Sequence, residues 1–166
     1  MMNNFLWLGA GLAAGLVVLG FTFTYSTALT SPKAPTYDHL AIMVRDLERA
    51  ADFYVNVLGL PEIEDQTGKD HIRWFGLGPH LALHIIQSPE ADSLNHLKGA
   101  HLALTVADLP AMMRKLRKQG IAFEDWAGQA NVSNLRPDSV AQIYFQDPDG
   151  YWLEINDAIR PKRNKD

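Results

Sequence analysis

The segment His39-Leu40-Ala41-Ile42-Met43-Val44-Arg45-Asp46-Leu47 recurs 62 residues later as His101-Leu102-Ala103-Leu104-Thr105-Val106-Ala107-Asp108-Leu109. A segment that recurs at a fixed offset indicates that one supersecondary unit was built twice. In both copies apolar residues stand at every second position, which predicts a half-buried strand. An aspartate follows each strand, and aspartate is a preferred N-cap for the helix that should come next.

Each copy continues with one helix and three more strands. We predict helices over residues 47–58 and 109–119, because Gly59 and Gly120 stand where a left-handed residue commonly closes a helix. Short apolar runs then predict strands at 60–64, 72–77 and 81–86, and at 121–125, 142–146 and 151–155. The predicted class is α+β: paired βαβββ modules, residues 36–88 and 99–157, form a half-open curved sheet with the helices outside.

Strand parity assigns each polar residue to one face of the sheet, since successive side chains point to opposite faces. The apolar residues of the first strand share the face that the helix should cover, which leaves His39 on the other face. The same alternation of side chains places His84, His101 and Glu154 on the face away from the helices. We therefore expect these four side chains to line the inside of a cup formed by the two sheets.

Three imidazoles and one carboxylate are a donor set that suits a first-row divalent metal ion. A single histidine on a strand is more often a hydrogen-bonded core or rim residue, but these four occupy matching positions in two repeated units. The sequence has no cysteine, so histidine and carboxylate must supply the ligands of any metal. We predict one divalent ion, Zn, Ni, Mn or Fe, held by His39, His84, His101 and Glu154.

The N-terminal region differs in composition from the rest of the chain. The first 32 residues carry no charged side chain, and residues 5–23 are nearly all apolar, long enough to cross a bilayer as a helix. Residues 1–28 are interpreted either as a signal peptide, cleaved after the small residues 26–28, or as an uncleaved anchor. Both interpretations predict a membrane-anchored or exported protein of the cell envelope, in an undetermined orientation. Residues 29–35 form a proline-containing linker, and 158–166 a tail.

The net charge of the chain limits the classes of partner that it is expected to bind. The 166 residues carry a net charge of −4, and the chain has no long run of basic residues, its C-terminal tail being a short one. Nucleic acid is therefore excluded as an expected partner, because its phosphates need a basic surface. The sequence instead favours a small-molecule substrate, with the cup closed either within one chain or across a homodimer.

The chain resembles the vicinal oxygen chelate superfamily, which includes glyoxalase I, bleomycin resistance proteins and extradiol dioxygenases. The resemblance covers about residues 36–157 and rests on the opening His39-Leu40-Ala41-Ile42, on Phe53-Tyr54 before Leu58-Gly59-Leu60, and on the closing Asp147-Pro148-Asp149-Gly150-Tyr151-Trp152-Leu153-Glu154-Ile155. It implies paired βαβββ units around a metal that chelates vicinal substrate oxygens, with the four residues named above as ligands. It also implies a glyoxalase-I-like lyase or isomerase, in which Glu154 is the first candidate for the base and His84 the second.

One position departs from the glyoxalase I pattern, because His84 stands where that enzyme usually has glutamate. Other members of the superfamily therefore stay open. His39, His101 and Glu154 also match the ligand set of metallothiol transferases and of extradiol dioxygenases, and bleomycin-resistance-type members bind a ligand without a metal.

Several residues outside this set are assigned from the sequence alone. Arg73 and Arg136 are candidates to hold an anionic group of the substrate. Residues 126–141 form a long stretch between two strands and are interpreted as a lid. The remaining aromatic residues, Trp74, Trp126 and Tyr144, line the pocket or pack in the core. The remaining histidines, His71, His80 and His96, are assigned to the surface.

Overall fold

The computed structural model describes residues 35–65, 67–93 and 96–158. Over these residues the chain repeats one order of elements twice. The first unit contains β1 (His39–Val44), α1 (Leu47–Asp52), β2 (Glu62–Ile63), β3 (Ile72–Gly78) and β4 (Leu81–Gln87). The second contains β5 (His101–Thr105), α2 (Leu109–Lys118), β6 (Asn134–Leu135), β7 (Ala141–Gln146) and β8 (Trp152–Asn156). The repeat seen in the sequence is therefore a repeat of structure.

Both helices begin where the sequence predicts. The carboxylate of Asp46 accepts a hydrogen bond from the backbone N–H of Arg49, and that of Asp108 accepts one from the N–H of Ala111. Such N-caps satisfy backbone donors that the first helical turn leaves unpaired. The first helix differs from the prediction in its second half, because residues Phe53–Val57 form a wider π-helical turn. Gly59 and Gly120 both have positive φ, as predicted for residues that close a helix.

The strands form two four-stranded sheets with the same topology. The orders are β1-β4-β3-β2 and β5-β8-β7-β6, with the first pair parallel and the other pairs antiparallel. Along β4 and β8 the apolar side chains that face the helices are fully buried, among them Leu83, Ile85, Leu153 and Ile155. The polar side chains therefore lie on the opposite faces of the sheets, as strand parity predicts.

The fourth strand of the second sheet does not lie where the sequence places it. Residues 121–125 form no strand; Glu124 makes only isolated bridges, to Ala130 and to Tyr144. The edge strand is β6, which lies within the predicted lid and pairs with β7 through Asn134 and Leu135. Two residues of the segment interpreted as a lid, residues 126–141, are therefore hydrogen-bonded to the sheet, and the lid itself stays a prediction.

The two units pack against each other through the turn between β7 and β8. The hydroxyl of Tyr54 donates to the buried carboxylate of Asp147 over 2.6 Å. The hydroxyl of Tyr151 accepts from the backbone N–H of Met43, and Arg45 pairs with Asp149. Burial raises the pKa of Asp147, although the Tyr54 hydroxyl and backbone N–H groups oppose that effect. Polar contacts thus join the closing motif of the second unit to the first strand and helix of the first unit.

The predicted membrane-targeting segment, residues 5–23, lies outside the described residues and stays a prediction. Among the residues that the structure describes, no helix is long and apolar enough to span a membrane. The folded unit that contains them begins at Thr36.

Candidate metal centre

The first unit brings His39 and His84 together. These residues lie on the adjacent parallel strands β1 and β4, where Ala41 is the register partner of His84. Their ring centroids are 4.5 Å apart in an edge arrangement. Trp74 of β3 is the cross-strand partner of His84, and the centroid of its ring lies 4.2 Å from that of the imidazole. One face of the first sheet therefore presents two imidazoles beside an indole.

The two imidazoles have different surroundings. Nδ1 of the exposed His39 lies 2.6 Å from a carboxylate oxygen of Asp38. A carboxylate only accepts hydrogen bonds, so this contact places a proton on Nδ1 and leaves Nε2 free to bind a ligand. His84 is only 9% exposed, and neither of its ring nitrogens has a hydrogen-bond partner among the described residues. Burial first, and then the nearby His39, lower the pKa of His84, which favours its neutral, metal-binding form.

The second unit brings His101 and Glu154 together in the matching place. Nε2 of His101 lies 3.1 Å from Oε2 of Glu154, whose side chain is buried. The hydroxyl of Tyr144 donates to the same carboxylate oxygen over 2.7 Å. The side-chain amide of Asn156 donates to Oε1, also over 2.7 Å. The carboxylate is thus held by one donor on each oxygen, with the imidazole beside it.

Tyr144 is well suited to stay a donor to this carboxylate. Burial, followed by the hydrogen bond to Glu154 and its negative charge, raises the pKa of the Tyr144 hydroxyl well above its ordinary value. The phenol therefore keeps its proton throughout the physiological range. Asn156 lies two residues after Glu154 on β8 and therefore on the same face of the sheet, but neither hydrogen bond to the carboxylate was predicted. The spacing of two residues between Glu154 and Asn156 on β8 is the sequence feature that could have predicted this contact.

The four predicted ligands form two pairs within one chain and not one cluster. Among the described residues, no three His, Asp or Glu side chains lie close enough together to hold a metal ion. The expectation that all four donors lie within one cup is therefore not met by a single chain. The physical reason is that the two sheets are separate, each with its own pair, and are not joined into one hydrogen-bonded sheet.

The two arginines predicted to bind substrate lie in different places. Nη1 of Arg136 is 3.8 Å from Oε1 of Glu154, at the second pair, while its Nε and Nη2 hold Asp138. Arg73 instead pairs in register with Ile85, on the face that the helix covers. Its guanidinium is bound to Glu62 and Glu48. Arg73 is thus on the wrong face for the predicted role, because β3 turns alternate side chains away from His84.

The aromatic and histidine assignments are partly confirmed. Trp74 lies against the imidazoles of His39 and His84. Tyr144 and Trp126 both stack edge-on to His101, with ring centroids 5.3 and 6.4 Å from it. His71 and His80 are exposed, as predicted. His96 is not a surface residue: it is half-buried and stacks on Tyr151 with ring centroids 3.9 Å apart.

The residues present fit a divalent metal ion in three respects. The ring nitrogens of buried His84 have no hydrogen-bond partner among the described residues, so one of them is available to bind a metal ion. The 3.1 Å between Nε2 of His101 and Oε2 of Glu154 is close to the spacing of neighbouring ligands held at about 2.0 to 2.2 Å from one ion. The Nδ1 contact of His39 matches the outer hydrogen bond that orients metal-bound histidines.

Comparison with known proteins identifies the family. The model of the Glyoxalase/Bleomycin resistance protein/Dioxygenase superfamily matches residues 36–155. The chain is 30% identical over 127 residues to the uncharacterized protein YwbC of Bacillus subtilis, which covers 74% of this chain and 97% of that one. It is 27% identical over 128 residues to a lactoylglutathione lyase of Salmonella typhimurium, covering 72% and 90%.

The solved structures agree with this. A glyoxalase family protein from Bacillus anthracis has a TM-score of 0.61 at 25% identity, covering 78% of this chain and 99% of that chain. The paired βαβββ units thus have the fold of a known family. The chain belongs to the glyoxalase, bleomycin resistance protein and dioxygenase superfamily.

Proposed function

We propose that this chain is a metal-dependent lyase or isomerase of the glyoxalase I type, acting on a small substrate held through adjacent oxygens. The observation that carries the proposal is the state of His84, which is buried beside His39 and has no hydrogen-bond partner for either ring nitrogen in the part of the chain that the structure describes. A buried polar group without a partner is costly unless a ligand satisfies it. The matching pair in the second unit, His101 and Glu154, supplies the remaining donors.

We further propose that each complete site forms across two copies of the chain. In this arrangement the His39–His84 pair of one subunit meets the His101–Glu154 pair of its partner. Two features support it. Strands β1 and β5 are edge strands of their sheets, and exposed edges are ready pairing surfaces. An apolar groove of about 500 Å³ also lies along β5, where Leu102 and Leu104 are only half-buried.

The bound metal would supply Lewis acidity, which stabilises negative charge on the substrate oxygens. Glu154 is the proposed base, and its carboxylate would accept the proton from the substrate carbon next to those oxygens. Tyr144 and Asn156 hold the carboxylate in one orientation before and after that transfer. His84 is the second candidate for the base, since its lowered pKa keeps the imidazole neutral near pH 7.

The metal proposal is tested by titrating the full-length protein separately with Zn, Ni, Mn and Fe(II) by calorimetry. We expect one ion per subunit in the wild type. His101→Ala should remove that binding, because the variant lacks one of the four metal-binding side chains and leaves Glu154 without the adjacent imidazole. His71→Ala is the matched control, since it removes an exposed imidazole outside the site and should bind like wild type. Wild-type protein that binds none of the four ions would rule the proposal out.

Arg136 points to an acidic substrate. Its guanidinium lies at the proposed base and is held by Asp138, a half-exposed carboxylate that a substrate carboxylate can replace. Ion pairs that face solvent are worth only about 0 to 1 kcal/mol, so such an exchange costs little. We therefore propose that the substrate carries a carboxylate next to its chelating oxygens.

Arg136→Gln should raise KM for acidic substrates by about tenfold, the effect of losing one charge-assisted hydrogen bond. Neutral analogues should be unaffected, because they have no group to pair with the guanidinium. The check is a comparison of kcat and KM over paired acid and amide substrates. Arg73→Gln serves as the control, since that arginine is bound to glutamates on the other face. Equal loss on acids and amides would contradict the assignment.

Two other functions use the same residues. An extradiol-type dioxygenase or a metallothiol transferase would need only His39, His101 and Glu154 as ligands. A buried, unpartnered His84 favours a fourth donor, which leaves fewer open positions for oxygen. Oxygen uptake by the protein with iron(II) and a catechol would establish the dioxygenase instead. Binding of a ligand by metal-free protein, with no turnover, would establish a non-catalytic binding module.

A further inference from the structure

The side chain of Thr105 contacts a residue that holds the proposed base. Thr105 is the last residue of β5 and lies on the same face as His101, because the two residues are four positions apart. Its register partner on the parallel strand β8 is Asn156. The Thr105 hydroxyl donates to Oδ1 of Asn156 over 3.2 Å. A side-chain hydrogen bond therefore joins β5 to β8, in addition to the backbone pairing of these strands.

The amide of Asn156 is held in one orientation. Asn156 is buried, with only 3% of its surface exposed. The backbone N–H of Ala158 donates to Oδ1 over 3.1 Å, and a backbone N–H is a donor only. The Thr105 hydroxyl donates to the same oxygen. The amide nitrogen must therefore lie on the other side, where it donates to Oε1 of Glu154 over 2.7 Å.

The two donors to Oδ1 of Asn156 fix different things. Ala158 follows Asn156 by two residues, so its N–H sets the direction of the amide relative to its own segment of chain. Thr105 lies on the neighbouring strand, which also carries His101, and its hydroxyl sets the position of the amide relative to that strand. Nε2 of His101 lies 3.1 Å from Oε2 of Glu154. The bond from Thr105 thus helps to keep the carboxylate of β8 beside the imidazole of β5.

We propose that Thr105 is a positioning residue for Glu154 and acts through the amide of Asn156. The hydroxyl holds the amide, and the amide holds Oε1 of the carboxylate. Without the hydroxyl, one of the two donors to Oδ1 is lost, and the amide gains freedom to turn away from the carboxylate. The arrangement of these side chains belongs to the metal-free protein, whereas its consequence for metal binding rests on the proposed function.

The test is NMR of the side-chain amide protons of Asn156 in the full-length, metal-free protein. Their signals are assigned by their loss in Asn156→Ala. In wild type the N–H that donates to Glu154 should exchange slowly with water. Thr105→Val keeps the shape of the side chain without its hydroxyl and should speed this exchange about fivefold, the effect of losing one neutral hydrogen bond.

Two further variants serve as controls for this measurement. Thr105→Ser keeps the hydroxyl and should restore slow exchange, which a general effect of changing the side chain would not do. Thr36→Val makes the same chemical change as Thr105→Val at an exposed threonine where the folded unit begins, and it should match wild type.

A double-mutant cycle on Zn binding separates action through Asn156 from a general loss of stability. Thr105→Val should weaken Zn binding about fivefold, because Glu154 is held less firmly beside His101. In the Asn156→Ala background the same substitution should have no further effect, since the amide through which the hydroxyl acts is gone. Calorimetry on the four proteins of the cycle measures both effects.

Two results would overturn the proposal. One is amide exchange that is equally slow in Thr105→Val and in wild type, even if the variant melts at lower temperature. The other is an effect of Thr105→Val on Zn binding that has the same size with and without the Asn156 amide. A wild type whose amide exchange responds as expected, but which binds no metal, would defeat the proposed function alone.

Discussion

Two inactive variants of this chain are expected to restore activity to each other when their subunits are exchanged. One carries His39→Ala and His84→Ala, and the other His101→Ala and Glu154→Gln. Each variant alone lacks one half of every site and should be inactive. A mixed dimer contains one site with both intact pairs, because each chain contributes the pair that the other lacks. Random exchange makes about half of the dimers mixed, so about a quarter of the wild-type activity should return.

The control for this experiment uses two single variants that affect the same pair. His39→Ala mixed with His84→Ala leaves no site with four donors, and activity should not recover beyond that of the separate variants. Mixed dimers are verified by different affinity tags on the two chains. Verified mixed dimers without activity would show that the four residues meet within one chain, after a rearrangement, or that they do not meet at all.

Glu154→Gln should lower kcat by about a thousandfold, within the range for loss of a general base. The amide keeps the shape of the carboxylate but cannot take a proton from carbon. The amide oxygen can take the place of Oε2, where the Tyr144 hydroxyl still donates to it and a metal ion can still bind it. Metal affinity should therefore fall much less than turnover. The measurement pairs steady-state kinetics with calorimetric metal binding on the same preparation.

Glu62→Gln is the matched control, because it makes the same chemical change at a carboxylate that binds Arg73 on the helix side of the first sheet. It should keep wild-type kcat. If Glu154→Gln with bound metal turned over at the normal rate, the carboxylate would be a ligand or a structural group and not the base. His84 would then be the next residue to test.

The elements that the sequence predicts correctly are those set by local patterns. The repeat, the two helix N-caps and the two closing glycines depend on residues within a few positions of one another. Strand parity depends only on the alternation of side chains, and it correctly places Glu154 of β8 beside His101 of β5. The prediction failed for Arg73, where the same parity was not applied: its partner in register, Ile85, faces the helices.

The edge strand β6 was missed for a different reason. Residues 121–125 have the alternation of a strand, yet only Glu124 pairs with β7, through Tyr144. The position of an edge strand depends on which distant backbone groups remain unpaired after the central strands have formed, and no short sequence pattern records that.

Periodicity and capping along the chain predict the two βαβββ units, apart from the edge strand β6, and the sheet face on which His39, His84, His101 and Glu154 lie. Which side chains meet depends instead on the packing of sheets that are distant in sequence. Among the described residues of one chain the donors lie as two separate pairs, and His84 is buried with no hydrogen-bond partner. Packing is a property of the whole fold that the alternation along one strand does not contain.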